Sequence, residues 1–407
     1  MLSTLCNALI PVRNSRTLSL SPSIRHISLT GAIERGLRKG QRTLDGKQVG
    51  IAREGRPSDG YTRTQSENRA QSGRYNGVKT GGSTERVPHA LPYTTAASEF
   101  IYGTFAVNAA IKAGRRQLYK LYIHGIDDNK DSMGGRATQK RAEAAGVEVV
   151  KVSGPQWRHL FDRVAENHPH NGFILEASPV PTLPAVHLQE CQDLGEPVSV
   201  KLGPAALDDA TLAAGFQIAS TTASIRPRGR QHRYPVLLFL DRITDLGNLG
   251  AILRSAYYFG VNAVVLLDHG TAPLSAVTVK ASAGAAEIVP ILRIKDETSF
   301  IKTSKENGWH FLAAIAPEDT PLVNNRVVIP EHDSAEESLK EKPMVLMLGN
   351  EGEGLRPRIA RMANSTVSIQ NIFGKHGAVD SLNVSVAAGI LMHDMLRPFL
   401  GKKPNPK

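Results

Sequence analysis

The sequence predicts an α/β protein, with a mostly parallel sheet covered on both faces in its C-terminal half and a smaller α/β unit before it. Three observations predict this. Strand-sized apolar runs alternate with stretches whose apolar residues recur at helical spacing. The alternation is most regular from residue 236 onward. Polar or glycine-rich segments stand directly beyond several of the apolar runs, where open α/β sheets place their ligands.

The 407 residues leave room for two domains of roughly 100 to 200 residues each, with a tail. Residues 1–33 carry Arg13, Arg16 and Arg25, many Ser and Thr, and no acid before Glu34. That is transit-peptide composition and points to the mitochondrial matrix; a disordered basic terminus is the plainer reading. Residues 34–95 are rich in Gly, Ser, Thr, Arg and Gln. Such a stretch has too little apolar surface to offset ordering entropy, so a disordered basic linker is expected. Residues 1–90 hold fifteen Lys or Arg against six Asp or Glu, most of the net charge of +11. The rest of the chain is close to neutral, so any RNA affinity there needs local basic patches.

Residues 96–180 read as a small α/β domain: helix 100–112 closed by Gly114, strand 118–123, helix 139–145, strand 147–152, helix 156–167 and strand 172–177. Between 181 and 233 the alternation lapses. The segment ends in the basic run Arg226, Arg228, Arg230, His232 and Arg233, broken by Pro227 and Gly229. This is linker chemistry, though its charge also suits phosphates. From 234 to 407 the order is strand 236–240, helix 249–259, strand 263–267, helix 275–281, strand 287–291, helix 300–307, strand 310–314, strand 344–348, helix 355–362, strand 365–369 and helix 384–395.

Composition also sets exclusions. No apolar run approaches the roughly 20 residues of a bilayer-spanning helix, so no membrane partner is expected. Cys6 and Cys191 offer no disulfide framework. Histidines such as His269 and His393 lack ligand spacing, and no metal is expected.

Three segments carry the chemistry. In the first, running from Asp241 to Arg254, Asn248 stands at a helix start and Arg254 follows it on the helix. Alone, these read as a helix cap and a surface cation. The second is Gly349-Asn-Glu-Gly-Glu-Gly354, directly after an apolar strand. Its glycines let backbone approach a flat ligand, but its spacing is not that of a dinucleotide fingerprint, and it lacks the Lys of a P-loop. The third is Ser381-Leu-Asn-Val-Ser385 at the opening of the last helix, where either Ser381 or Asn383 serves as a cap.

Taken together, the three segments resemble the motifs of the SpoU or TrmH class of RNA 2′-O-ribose methyltransferases, within the SPOUT superfamily. The segment from Lys280 to Ala285 is similar too, and residues 98–178 resemble the small RNA substrate-binding domain that precedes the catalytic one in many members. The resemblance implies a knotted (SPOUT trefoil) methyltransferase domain, S-adenosyl-L-methionine as cofactor, and a homodimer. Within the class, the leader and domain order resemble the branch that methylates a guanosine ribose of mitochondrial large-subunit rRNA. A tRNA ribose methyltransferase and a catalytically silent ribosome-assembly factor are the alternatives.

By the same resemblance, Asn248, Arg254, Glu351, Ser381 and Asn383 are the catalytic set. Leu348, Gly349, Asn350, Gly354, Ile369 and Leu382 are the cofactor set. The family residue matching Arg254 is proposed as general base; since arginine stays protonated, a fork on the target phosphate is the second role. The chain departs from the family at Ile369-Gln370-Asn371, where Ile-Pro-Met is common, and in a longer stretch from Asn371 to Asp380. The extra residues Phe373 to His376 either touch RNA or lengthen a loop.

Overall fold

The computed structural model describes residues 87–125, 133–203, 217–219, 221–227, 232–316, 332–372 and 381–400. The transit peptide expected at 1–33, most of the linker expected at 34–95, Arg228, Arg230 and the loop at 373–380 lie outside these.

The small domain runs β1 (Glu99–Tyr102), α1 (Thr104–Ala113), β2 (Leu118–His124), α2 (Met133–Ala144), β3 (Glu148–Val152), α3 (Pro155–Val164) and β4 (Phe173–Ala177). Its sheet has the order β1-β4-β2-β3. Only the β2–β3 pair is parallel. Ile101, Val107, Leu121 and Leu175 fill one side of the sheet, and Tyr102, Phe161 and Ile174 the other.

Two expectations change here. The helix expected at 100–112 is a strand followed by a helix. Phe100, Ile101 and Tyr102 favour a pleated, half-buried surface, and Gly103, at φ 92°, turns the chain before α1 begins. Order also starts before residue 96. Leu91 is buried among Phe100 and Phe161, and Thr94 Oγ1 donates to Glu176 Oε2 at 2.8 Å.

The second sheet begins inside the segment expected to be a linker. Residues 181–233 supply β5 (Leu183–Leu188), β6 (Val198–Leu202), β7 (Gln217–Ala219) and β8 (Thr222–Ile225). Val198, Val200 and Leu202 are buried while Ser199 and Lys201 are only partly so, the period-two signature of a half-buried strand. The strands are short and separated by Pro and Gly, which hid that alternation.

The chain continues through β9 (Val236–Leu240), α4 (Leu246–Phe259), β10 (Ala263–Leu267), α5 (Ala276–Ala281), β11 (Ile291–Ile294), α6 (Glu297–Glu306), β12 (His310–Ala314), α7 (His332–Glu341), β13 (Met344–Leu348), α8 (Pro357–Ala360), β14 (Ser365–Val367) and α9 (Val384–Leu396). The strand expected at 287–291 starts later, because Ala285–Glu287 forms a 3-10 turn. Helix α8 is also shorter than the expected 355–362, and α7 was not anticipated.

The described residues place these strands in the order β14-β12-β13-β9-β10-β11-β5-β6-β8-β7. Pairs from β14 through β5 are parallel and the rest antiparallel. Both faces are covered: Leu238, Ile252, Leu253, Leu391 and Met392 pack on one side, and Leu237, Phe239, Trp309, Phe311 and Met347 on the other. The two sheets' domains interlock, since Ala106 of α1 belongs to the first of these cores.

Candidate active site

The loops after β9 and β13 leave neighbouring strands of the parallel sheet, whose register sets Leu240 against Leu348. Sequence-distant polar residues are thereby brought to one sheet end. Asp241 N donates to Leu348 O at 2.8 Å and ties the two loops at their roots.

Glu351 is the hub. Its carboxylate accepts from Thr244 N and Oγ1, both at 3.4 Å, from Asp245 N at 3.2 Å, and from Asn248 Nδ2 at 3.4 Å. Asn248 Oδ1 in turn accepts from Asn383 Nδ2 at 3.0 Å. Asn383 caps α9, its Oδ1 accepting from Ser385 N at 2.8 Å. A continuous chain of bonds thus links the three segments, so three of the five expected catalytic residues are assembled.

Two helix starts hold this network. Asp245 Oδ1 accepts from Asn248 N at 2.7 Å and is the N-cap of α4. The cap is therefore Asp245, and the Asn248 side chain is left for Glu351 and Asn383. Asp245→Ala is expected to lower stability by about 1 kcal/mol and to reduce activity, since Asn248 loses its anchor. Urea denaturation and methyl-transfer rates check both. The sequence reading missed Thr244 and Asp245, although cap-type residues just before a helix are a legible signal.

Arg254 and Ser381 do not join the network. Six residues beyond Asn248, Arg254 lies about 9 Å further along α4 at 1.5 Å per residue. It is exposed and makes no hydrogen bond or ion pair among the described residues.

Four of the six expected cofactor residues, Leu348, Gly349, Asn350 and Gly354, form the glycine turn and the strand end before it. Asn350 and Gly354 exchange N–H···O bonds at 3.0 Å, closing a tight loop. A Cβ on Gly349 would lie 2.0 Å from Gly354 C and Leu355 N, so only glycine permits this approach. Leu348 is buried, Ile369 packs partly buried against the core, and Leu382 is 48% exposed. Backbone groups and apolar side chains, without a phosphate-gripping lysine, suit an adenosine-bearing sulfonium compound better than a nucleotide triphosphate.

Against this turn lies a cavity of about 330 Å³ between the loops after β9, β10 and β13, lined by Asn350, Glu353 and Gly354 of the turn together with Arg242, His269 and Arg356. Arg356 Nε donates to Asp241 Oδ1 at 2.9 Å. That hydrogen bond holds the Arg356 guanidinium above its usual pKa. Lys280, in the last turn of α5, is partly buried beside Gly103, and burial lowers its pKa.

Residues 235–393 match the SpoU rRNA methylase family, and residues 100–183 match the RNA 2′-O ribose methyltransferase substrate-binding domain. The chain belongs to the SpoU rRNA methylase family. Among its relatives is the mitochondrial rRNA methyltransferase 1 of Schizosaccharomyces pombe, 30% identical over 301 residues that cover 74% of this chain and 90% of the relative. The 23S rRNA (guanosine-2′-O-)-methyltransferase RlmB of Vibrio parahaemolyticus is 35% identical over 75% of this chain and 99% of its own length. The mitochondrial rRNA methyltransferase 1 of Dictyostelium discoideum is 32% identical over 68% of this chain, which spans about half of that relative (47%).

Proposed function

We propose that the chain methylates the 2′-hydroxyl of a guanosine ribose in mitochondrial large-subunit rRNA. The observation that carries this reading is the bonded line Glu351–Asn248–Asn383, which joins three distant motif segments beside the glycine turn. Family membership and the printed activities of the mitochondrial and bacterial relatives support it.

S-adenosylmethionine, when bound, supplies a methyl group already activated on a sulfonium. Leu348, Gly349, Asn350, Gly354, Ile369 and Leu382 hold its adenosine through backbone and apolar contact. The protein's larger task is alignment of a poor nucleophile. Asn248 and Asn383 present amide groups to the ribose, Glu351 fixes Asn248, and Ser381 bonds the substrate. Arg254 grips the phosphate next to the reacting ribose in a bidentate fork, since a guanidinium does not give up its proton. RNA is selected because DNA has no 2′-hydroxyl.

Residues 1–33 direct the chain to the mitochondrial matrix, and the linker expected at 34–95 tethers the folded part up to the point where Leu91 packs into it. The domain from about 96 to 180 binds RNA, and the domain from 234 onward, with β5 to β8 added to its sheet, carries a trefoil knot. The active form is a homodimer. On α4 and α9, which pack together, Tyr258 is 78%, Val386 49% and Tyr257 43% exposed, an apolar surface of the kind a second copy covers.

Mapping ribose methylation across mitochondrial rRNA with and without the protein tests the reading. One guanosine is expected to lose its methyl when the chain is absent and to regain it with purified protein and S-adenosylmethionine. An unchanged map, with folded protein that binds no S-adenosylmethionine by calorimetry, leaves a silent RNA-binding factor instead.

A further inference from the structure

The cavity beside the glycine turn is not accounted for by methyl transfer itself. We propose that it seats the guanine of the target nucleotide, with the Glu353 carboxylate accepting from guanine N1–H and the N2 amino group, and the Arg242 guanidinium donating to O6 and N7. The inference rests on the reading that a guanosine ribose is the methyl acceptor.

Position comes first. Thr244 and Asn350 line the cavity, and both donate to Glu351, Asn350 Nδ2 at 3.2 Å. The cavity therefore opens beside the carboxylate that holds Asn248. A base is one glycosidic bond from its ribose, so base and reacting hydroxyl need adjoining seats. At about 330 Å³ the space falls at the small end of ligand pockets, about 300 to 1,000 Å³.

The chemistry of the lining then selects the base. Asp241 and Arg356 satisfy one another, with Nη2 2.7 Å from Oδ1, and Arg356 also pairs with Glu297. They form a floor with little left to offer a ligand. Two charged side chains of the lining, Glu353 and Arg242, have no side-chain hydrogen bond or ion pair among the described residues. One is acceptor-only and the other donor-only. Guanine alone among the four bases offers two adjacent donors on its Watson–Crick edge and two adjacent acceptors, O6 and N7, on the other. Adenine would set its N1 lone pair against the Glu353 carboxylate.

The seat is also held in shape. Arg242 has φ 58°, left-handed backbone that is uncommon for a residue with a side chain. Asn350 Nδ2 donates to its carbonyl at 2.8 Å, and the Arg242 stem lies along Gly270, where an added Cβ would come within 3.3 Å of Cγ. The competing occupant is the methyl donor, because Asn350 and Gly354, two of the residues assigned to it, also line the cavity. Leu348, Gly349, Ile369 and Leu382, the other four, are absent from the lining, which favours the base.

The test uses full-length protein and an RNA fragment spanning the mapped nucleotide, synthesised with guanosine, inosine or 7-deazaguanosine there. Wild-type protein is expected to prefer guanosine over inosine, which lacks the N2 amino group, by about tenfold or more. Glu353→Gln is expected to bring that ratio near one. Arg242→Met is expected to keep it but to lose discrimination against 7-deazaguanosine, which lacks only the N7 acceptor. Both side chains are exposed, and circular dichroism confirms folding. Ratios unchanged in both folded variants overturn the inference while the methyltransferase reading stands. A raised KM for S-adenosylmethionine with unchanged base ratios assigns the cavity to the methyl donor and overturns it too. Wild-type protein that leaves the guanosine fragment unmethylated defeats the underlying reading, and the base seat with it.

Discussion

Arg254→Ala is expected to cut methyl transfer to RNA at least about 100-fold, the scale of misplacing a reactant, while leaving the thermal midpoint nearly unchanged. The stability half follows from position. Arg254 is exposed on α4 and has no bonded partner among the described residues, and substitutions at such surface sites usually stay within about 0.5 kcal/mol. The activity half follows from what the Glu351–Asn248–Asn383 line lacks. It contains amides and a carboxylate but no cation to meet the phosphate that flanks a target ribose.

A lysine separates the two roles available to Arg254. If the side chain acts as a phosphate fork, Arg254→Lys recovers only part of the lost activity, because a point charge cannot reproduce two parallel donors. The loss then appears in the KM for RNA and in a shallower salt dependence. If the residue removes the proton instead, lysine, with its lower pKa, shifts the pH profile of kcat and leaves the salt slope alone. Transfer from Arg254→Ala at the wild-type rate removes this residue from the mechanism.

How much of this was legible depended on whether the signal was local. Runs such as Val236–Leu240 and Met344–Leu348 are apolar throughout because central parallel strands are buried on both faces, and these were read to the residue. Strands β5 to β8 were lost because edge strands are short, half polar and interrupted by turns. The first three residues of the expected helix at 100–112 belong to β1, since a short apolar run fits either period. At the site, the three motif segments were visible, but their joining was not. Asn248 and Asn383 are 135 residues apart and meet at 3.0 Å only because α9 packs against α4. Asp241 and Arg356, likewise, are paired by the sheet and by nothing in the spacing.

The contact between the two domains was equally invisible, and it carries the largest expected effect on stability. Arg116 follows α1 in the small domain, and Glu287 sits in the 3-10 turn before β11. Both side chains are almost wholly buried, with exposures of 0% and 1%. The guanidinium meets the carboxylate as a fork, Nε to Oε2 at 2.8 Å and Nη2 to Oε1 at 2.7 Å. Its Nη1 donates to Ser178 O at 2.7 Å and contacts Glu99. Arg115 adds a bond to Val289 O at 3.1 Å, while Gly284 gives α1 room, since a Cβ there would come 2.4 Å from that of Ala109. Burial already pushes the Glu287 carboxyl above its ordinary pKa, with Arg116 opposing that push.

Arg116→Ala is therefore expected to destabilise the folded chain by about 3 to 5 kcal/mol, the cost of leaving a buried charge without its partner. The pair's own net contribution is much smaller, because desolvation offsets most of the attraction. Arg116→Met combined with Glu287→Met should recover most of the loss, since neither charge is then stranded. Urea denaturation of the single and double variants measures both. A single variant as stable as the parent would show that water reaches Glu287 in solution and that the two domains are held together by Ala106 and its apolar neighbours instead.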